Sequence, residues 1–267
     1  MRFTKVRLNG LEVVDLPIIN ALPSDPYILK NVDGLGPPVV DVSIAPTLNA
    51  GGKYQGRRPQ SREIVSLIGL NPDHGAGLSA SDLRDSLYGM LSPGEEDHIM
   101  VQLVDDETVV VETQGYVGNL EINPFSKDPE VQLTIPCLQQ YLLAPELLYV
   151  APTSKAAPVI QNVGNAPAGF RMELIFTANV TNWTLSRPSG RKMQILYAFL
   201  TGDKLVIDTR PGSRGIWRTR SGVVKNLIGS APGSDWLMLH GGTNTFATSS
   251  QSFNWDDVFY LPQYWGI

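Results

Sequence analysis

Hydrophobic and polar residues alternate along much of this chain, and Gly, Pro, Asn and Ser break the runs into short pieces. Alternation with a period of two puts apolar side chains on one face of an extended segment, so each run predicts a half-buried β-strand. "TKVRLNGLEVV", Thr4 to Val14, predicts a hairpin turning at Asn9-Gly10, a dipeptide that accepts the positive φ angles of a tight turn. "YILKNVDGLGPPVVDVSI" reads as strand, turn, strand. "LNAGGKYQGRRPQSREIVSLIGL" reads as a glycine-rich basic loop ahead of a strand from Arg62 to Leu70. "HIMVQLV", "TVVVETQGYVGNLEI" and "EVQLTIPCL" predict further strands, with Asp105-Asp106-Glu107 in the first turn and "NPFSKDP" in the second.

One stretch has a helical period instead. In "SASDLRDSLYGML" the residues Leu83, Leu87, Met90 and Leu91 fall on one face, and Ser79 with Asp82 has the spacing of a capping box. "SPG" at Ser92 to Gly94 predicts its end. Beyond Val150 no run predicts a helix. "FRMELIFTANV", "RKMQILYAFL", "DKLVIDT", "GIWRTR", "SDWLMLHGG" and "TNTFATSS" are short strands at even spacing, the signature of a β-sandwich or barrel.

Composition agrees with a mainly β chain. Of 267 residues, 25 are Gly and 20 Pro, well above ordinary usage. Charge divides the chain in two. Residues Met1 to Val150 hold 10 Lys/Arg and 20 Asp/Glu, whereas Ala151 to Ile267 hold 11 and 6. The sign change, at the Pro- and Ala-rich "APTSKAAPVIQ", predicts two domains, 1–150 and 151–267, with different neighbours. Cys137, the single cysteine, lies in an apolar run and reads as a buried, inert thiol. The N-terminus lacks the apolar core of a signal peptide, and no run approaches the roughly 20 apolar residues of a membrane span. The Asn179 and Asn182 triplets carry no weight without a secretory signal.

The one stretch that suggests chemistry is "LTGDKLVIDTRPGSRGIWRTRSG", in which Asp203 and Asp208 precede a run of arginines. The two lie five apart, an odd number, so on one strand they face opposite ways about 17 Å apart. A glycosidase pair needs roughly 5–9.5 Å and a common face. The expectation is two turns flanking a strand, with the arginines on a solvated edge. There is no nucleophile elbow, P-loop or dinucleotide fingerprint, and His74, His98 and His240 have no zinc-ligand spacing. "EEDH" reads as a solvated loop, and Arg57-Arg58 with Lys53 and Tyr54 as a partner-facing loop or local ion pairs. The residues themselves point to no catalytic, cofactor or metal site.

An ordered set of short motifs resembles a known family. "IQNVGNAPAGFRMELIF", "LTGDKLVIDT", "SGVVKNLI" and "SDWLMLHGGTNTF" follow one another as in the second domain of siphophage distal tail proteins, and "QYWGI" resembles their endings. "LNGLEV", "VDGLGPP" and the helix-then-strands order resemble the family's belt domain. His240-Gly241-Gly242 departs from it, since proline-glycine is commoner there. The resemblance implies an N-terminal β-rich belt domain with one helix and a C-terminal galectin-like β-sandwich. It implies a homo-oligomer, a hexameric ring at the virion tail tip assembled in the host cytoplasm. The ring joins the tail tube protein to the tail tip or baseplate hub protein and is a platform for receptor-binding or side-tail proteins. It implies no enzyme, cofactor, metal or membrane insertion, and a channel through which DNA passes without specific binding. An acidic channel wall suits that passage, because attraction to phosphate would retain the genome; Asp105, Asp106 and Glu107 are candidates for it. The alternative is a carbohydrate-binding sandwich of the tail tip, with Trp183, Trp217, Trp236 and Trp255 as candidate sugar platforms.

Overall fold

The computed structural model describes residues 2–6, 13–15, 18–19, 25–47, 51–73, 75, 77–91, 98–105, 108–122 and 129–267. The chain is mainly β, with one α-helix among the described residues. It divides into two compact units, Met1–Pro145 with Trp265–Ile267, and Glu146–Tyr264.

In the first unit, one sheet places Val13–Asp15, Arg2–Val6, His98–Asp105, Thr108–Gly115 and Leu142–Leu143 side by side. Arg2–Val6 and Val13–Asp15 pair antiparallel, Val6 with Val13 and Thr4 with Asp15. That register is centred between positions 9 and 10, which themselves lie outside the described residues. A second sheet runs Asn119–Ile122, Glu130–Pro136, Glu63–Leu70, Tyr27–Asp33, Ile18–Ile19. Alternation sends Ile64, Ile68, Val131, Leu133 and Ile135 inward, where they meet Phe3, Ile99 and Val101 in one core. "TVVVETQGYVGNLEI" is therefore two strands in two sheets, not one. Between them Gly115 and Gly118 lie so close to Pro136 that no side chain would fit.

The helix Ala80–Met90 has the predicted capping box: the Asp82 amide donates to Ser79 Oγ at 3.2 Å, and the Ser79 amide to Asp82 Oδ2 at 2.9 Å. Leu83, Leu87 and Leu91 enter the core, and Tyr27 donates its hydroxyl to the Leu83 carbonyl. Cys137 is buried there as expected, and burial pushes its thiol pKa up.

The second unit is built on a six-stranded antiparallel sheet, ordered Leu148–Tyr149, Phe253–Tyr260, Phe170–Phe176, Lys204–Asp208, Gly215–Arg220, Val223–Asn226. Smaller sheets join Lys192–Ile195, Trp183–Ser186 and Ala247–Thr248, and Val159–Asn162 with Gly242–Thr245. The core between them is aromatic: Trp183 from the three-stranded sheet meets Phe253 of the large one edge-on, with ring centroids 6.0 Å apart. "SDWLMLHGG" forms no strand. Leu237 and Leu239 alternate into the core, and the backbone bonds along the segment are isolated ones, Asp235 to Lys192 and Leu239 to Ala168, ahead of the turn into Gly242–Thr245.

Candidate functional site: an uncovered ribbon and buried charges

The segment expected to be a basic loop is a strand. Gly51–Pro59 pairs antiparallel with Val40–Thr47 in a ribbon that no other described strand joins. Its glycines mislead. Gly52 lies where a β-carbon would strike the Ile44 side chain, so the strand needs glycine at that point. The sequence V-D-V-S-I splits the ribbon into two faces. Asp41 accepts from Gln60 at 2.8 Å and Ser43 donates to Gln55 at 3.2 Å on the polar one. On the other, Val40, Val42, Ile44 and its cross-strand neighbour Tyr54 stand in a row. Alternation of this type ordinarily means one buried face. Here Val42 is 56% exposed, Ile44 61% and Tyr54 59%. The ribbon also carries Lys53, Arg57 and Arg58, three of the ten Lys/Arg in residues 1–150, and no acid on its second strand.

Arg62 organises the ribbon's root. It is 3% exposed. Its guanidinium donates to the carbonyls of Gly34, Gly36 (2.8 Å), Gln140 (3.4 Å) and Trp265 (2.6 Å). This explains "VDGLGPP". Gly34 has φ of +90° and lies against the Glu63 carbonyl with no room for a β-carbon. The loop can therefore fold over the strand and present its carbonyls to Arg62.

Asp203 and Asp208 are buried structural ions. Asp203, 1% exposed, takes both oxygens to Arg220, from Nε and Nη2 at 2.6 Å each, and accepts the Leu200 amide at 2.9 Å. The register Lys204 with Thr219, extended one step, sets Arg220 opposite Asp203. Arg220 and the Leu200 amide hold the Asp203 carboxyl below the usual range. Asp208 is bound by Arg210 through Nε at 3.0 Å and Nη2 at 2.7 Å. Where a solvated edge was expected, Arg210 and Arg220 instead neutralise carboxylates that the fold buries, while Arg214 is exposed.

Asn244 of "LHGGTN" holds the turn before it. Its Oδ1 accepts the His240 amide at 2.8 Å and Arg187 Nη2 at 2.9 Å, and its Nδ2 donates to the His240 and Gly242 carbonyls at 2.7 and 2.9 Å. The motif is a satisfied buried amide, which is why the turn tolerates His-Gly-Gly.

Residues 163–264 match a family described as siphovirus-type tail component, C-terminal domain. That match lies within the second unit. The SPP1 Dit (gp 19.1) protein, described as a paradigm of hub adsorption apparatus in phages infecting Gram-positive hosts, is 14% identical with a TM-score of 0.62, over 98% of each chain. At that identity the likeness establishes the fold: the whole chain has the architecture of that hub protein. A chain of the phage P2 baseplate in its activated conformation with Ca is 9% identical with a TM-score of 0.42, covering 100% of this chain and 99% of that one. No curated protein matches the chain.

Of the other residues singled out in this chain, Asp105 ends its strand exposed, while Asp106 and Glu107 lie outside the described residues. His74 and Glu95–Asp97 lie outside them too; His98 opens a strand against the Tyr116 ring. Among the described residues no three His, Cys, Asp or Glu gather where a metal would sit. Trp183 is fully buried and is no sugar platform; Trp217, Trp236 and Trp255 are half-buried. Sequence reasoning missed the ribbon's bare face and the role of Arg62. Val-Asp-Val-Ser-Ile carried the first signal; nothing local carried the second.

Proposed function

We propose that this chain is a distal tail hub subunit that closes into a ring through its first unit. One observation carries the reading: a chain with the hub fold has an amphipathic ribbon whose apolar face the described residues leave in water. Burying a Val or Ile side chain is worth about 1.5–3 kcal/mol, so a row of four apolar residues is a costly surface without a partner. A second copy fits best. The ribbon is basic, and residues 1–150 are otherwise strongly acidic, so ribbon and neighbouring body attract. The ribbon of one subunit on the body of the next is a head-to-tail contact, and such contacts generate rings when the rotation closes. A hexamer is the expected closure.

In this reading the ring joins the tail tube to the tip in the virion. The second unit, as a galectin-like sandwich, offers docking sites for tip or receptor-binding proteins. The acidity of the first half lines a channel for DNA. The protein performs no catalysis: its two suggestive aspartates are occupied by arginines. Native mass measurement tests the reading. The wild-type chain, alone or with neighbouring tail proteins, should give a closed ring, and Val42→Asp with Ile44→Asp should give folded monomers. A wild-type monomer at every concentration and in both settings would sink the proposal.

A further inference from the structure

We propose that the second unit has a binding site for an acidic saccharide, a sugar unit bearing a carboxylate or a phosphate, in the cavity between Arg187, Arg191 and His240. The cavity measures about 390 Å³ and is floored by Pro167, Leu237 and Met238. That volume lies within the range of small-molecule sites, which pair an apolar lining with a few converging polar groups.

The hairpin geometry brings the two arginines together. Trp183–Ser186 pairs with Lys192–Ile195, with Ser186 opposite Lys192. One step further the Arg187 amide donates to the Arg191 carbonyl at 2.8 Å, and Gly190, at φ of +86°, completes the turn. Cross-strand partners share a face, so both guanidinium groups leave the turn on the same side.

The two have different work. Arg187 is fixed: its Nη2 donates to the Met238 carbonyl and to Asn244, and its guanidinium lies 5.0 Å from the centre of the Phe246 ring. Its Nε and Nη1 have no partner among the described residues. Arg191 makes no side-chain hydrogen bond or ion pair among the described residues. His240 is anchored by its own backbone to Asn244, which places its ring at the same cavity. No carboxylate lines the cavity. Arg171, Arg210 and Arg220 of this unit each meet an acid; here two arginines converge and no counter-charge stands among the described residues that line the cavity. Burial, then the nearby Arg187 and Arg191 charges, lower the His240 pKa.

With both Nη2 hydrogens taken, Arg187 offers an oxyanion single N–H donors on Nε and Nη1, and the bidentate fork is that of Arg191. The apolar floor is the part a bare anion would not use, and the C–H face of a sugar ring would cover it. Binding an anion relieves the repulsion on His240 and raises its pKa, so binding takes up a proton and tightens as the pH falls.

Saturation-transfer NMR on the full-length protein tests this with four probes: glucuronic acid, glucose 6-phosphate, glucose and inorganic phosphate. The two acidic sugars should bind and glucose should not. Arg191→Ala, which removes no side-chain hydrogen bond or ion pair among the described residues, should weaken them at least tenfold, and Arg191→Lys should restore part of the loss. Glucuronic acid should bind more tightly at pH 5.5 than at pH 7.5, and His240→Gln should flatten that dependence. Equal binding of glucose, unchanged binding in Arg191→Ala, or inorganic phosphate binding as tightly as the sugar phosphate would each overturn the proposal. So would displacement of the sugars by an acidic peptide at lower concentration, which would make the cavity a protein-docking point.

Discussion

Arg62 and Trp265 stand 203 positions apart in sequence, yet the Arg62 guanidinium donates to the Trp265 carbonyl at 2.6 Å. The same cation holds the Gly34 and Gly36 carbonyls, and next to it the Ile267 amide reaches the Leu35 carbonyl at 3.3 Å. Trp265 stacks edge-on against Tyr141, with centroids 4.8 Å apart. Residues 265–267 are thus a working part of the first unit, locked by one buried arginine.

Replacing Arg62 by Met keeps volume and removes the donors. At least three charge-assisted bonds from a buried guanidinium disappear, which should lower the stability of the first unit by about 3 kcal/mol. Chemical denaturation will read this as a lower midpoint. Arg62→Lys should recover only part of it, since one ammonium cannot span carbonyls that a planar fork reaches.

Asp203 contributes stability with a definite pH dependence. Its folded pKa lies below the ordinary carboxylate value. Its contribution is therefore complete above about pH 4, the unfolded value, and is lost as the pH falls through the folded one. Asp203→Ala should cost about 1–3 kcal/mol at pH 7 by orphaning the Leu200 amide and Arg220. The gap between variant and wild type should narrow on acidification to pH 2. A gap that stays constant from pH 7 to pH 2 would rule out the linkage.

Asn244→Ala removes four hydrogen bonds around a 3%-exposed amide. The turn 240–242 should loosen, with a loss of about 2 kcal/mol and faster hydrogen exchange at the His240 amide. Asn244→Asp should be intermediate. It keeps the acceptors for His240 and Arg187 but loses both donors.

If the acidic half lines a channel, then Lys at Asp105, Asp106 and Glu107 together changes the charge by six per subunit. Phage with this variant should assemble tails and eject DNA more slowly, most clearly at low salt, where screening is weakest. Ejection at wild-type speed in low salt would place these three residues away from the DNA path.

Local chemistry alone determined much of this protein. A strand pattern of period two, the Asn9-Gly10 turn signal and the Ser79/Asp82 cap depend on residues within a few positions of one another, so the helix and most strands were legible. The ordered motifs around "GDKLVIDT" and "LHGGTN" were enough to suggest a tail component, and the odd spacing of Asp203 and Asp208 excluded a carboxylate couple.

Tertiary structure decided the rest, because the deciding partners are distant in sequence. The cross-strand register set Arg220 opposite Asp203, and so turned an expected solvated edge into a buried ion pair. Gly51 and Gly52 read as loop because propensity penalises glycine in strands; the crowding of Ile44 over Gly52 is visible only once the ribbon is paired. Val42 and Ile44 had the sequence of a buried face, and only the packed first unit showed that no described residue covers it. A sequence specifies which residues need burial; the fold shows which of them it leaves for another molecule.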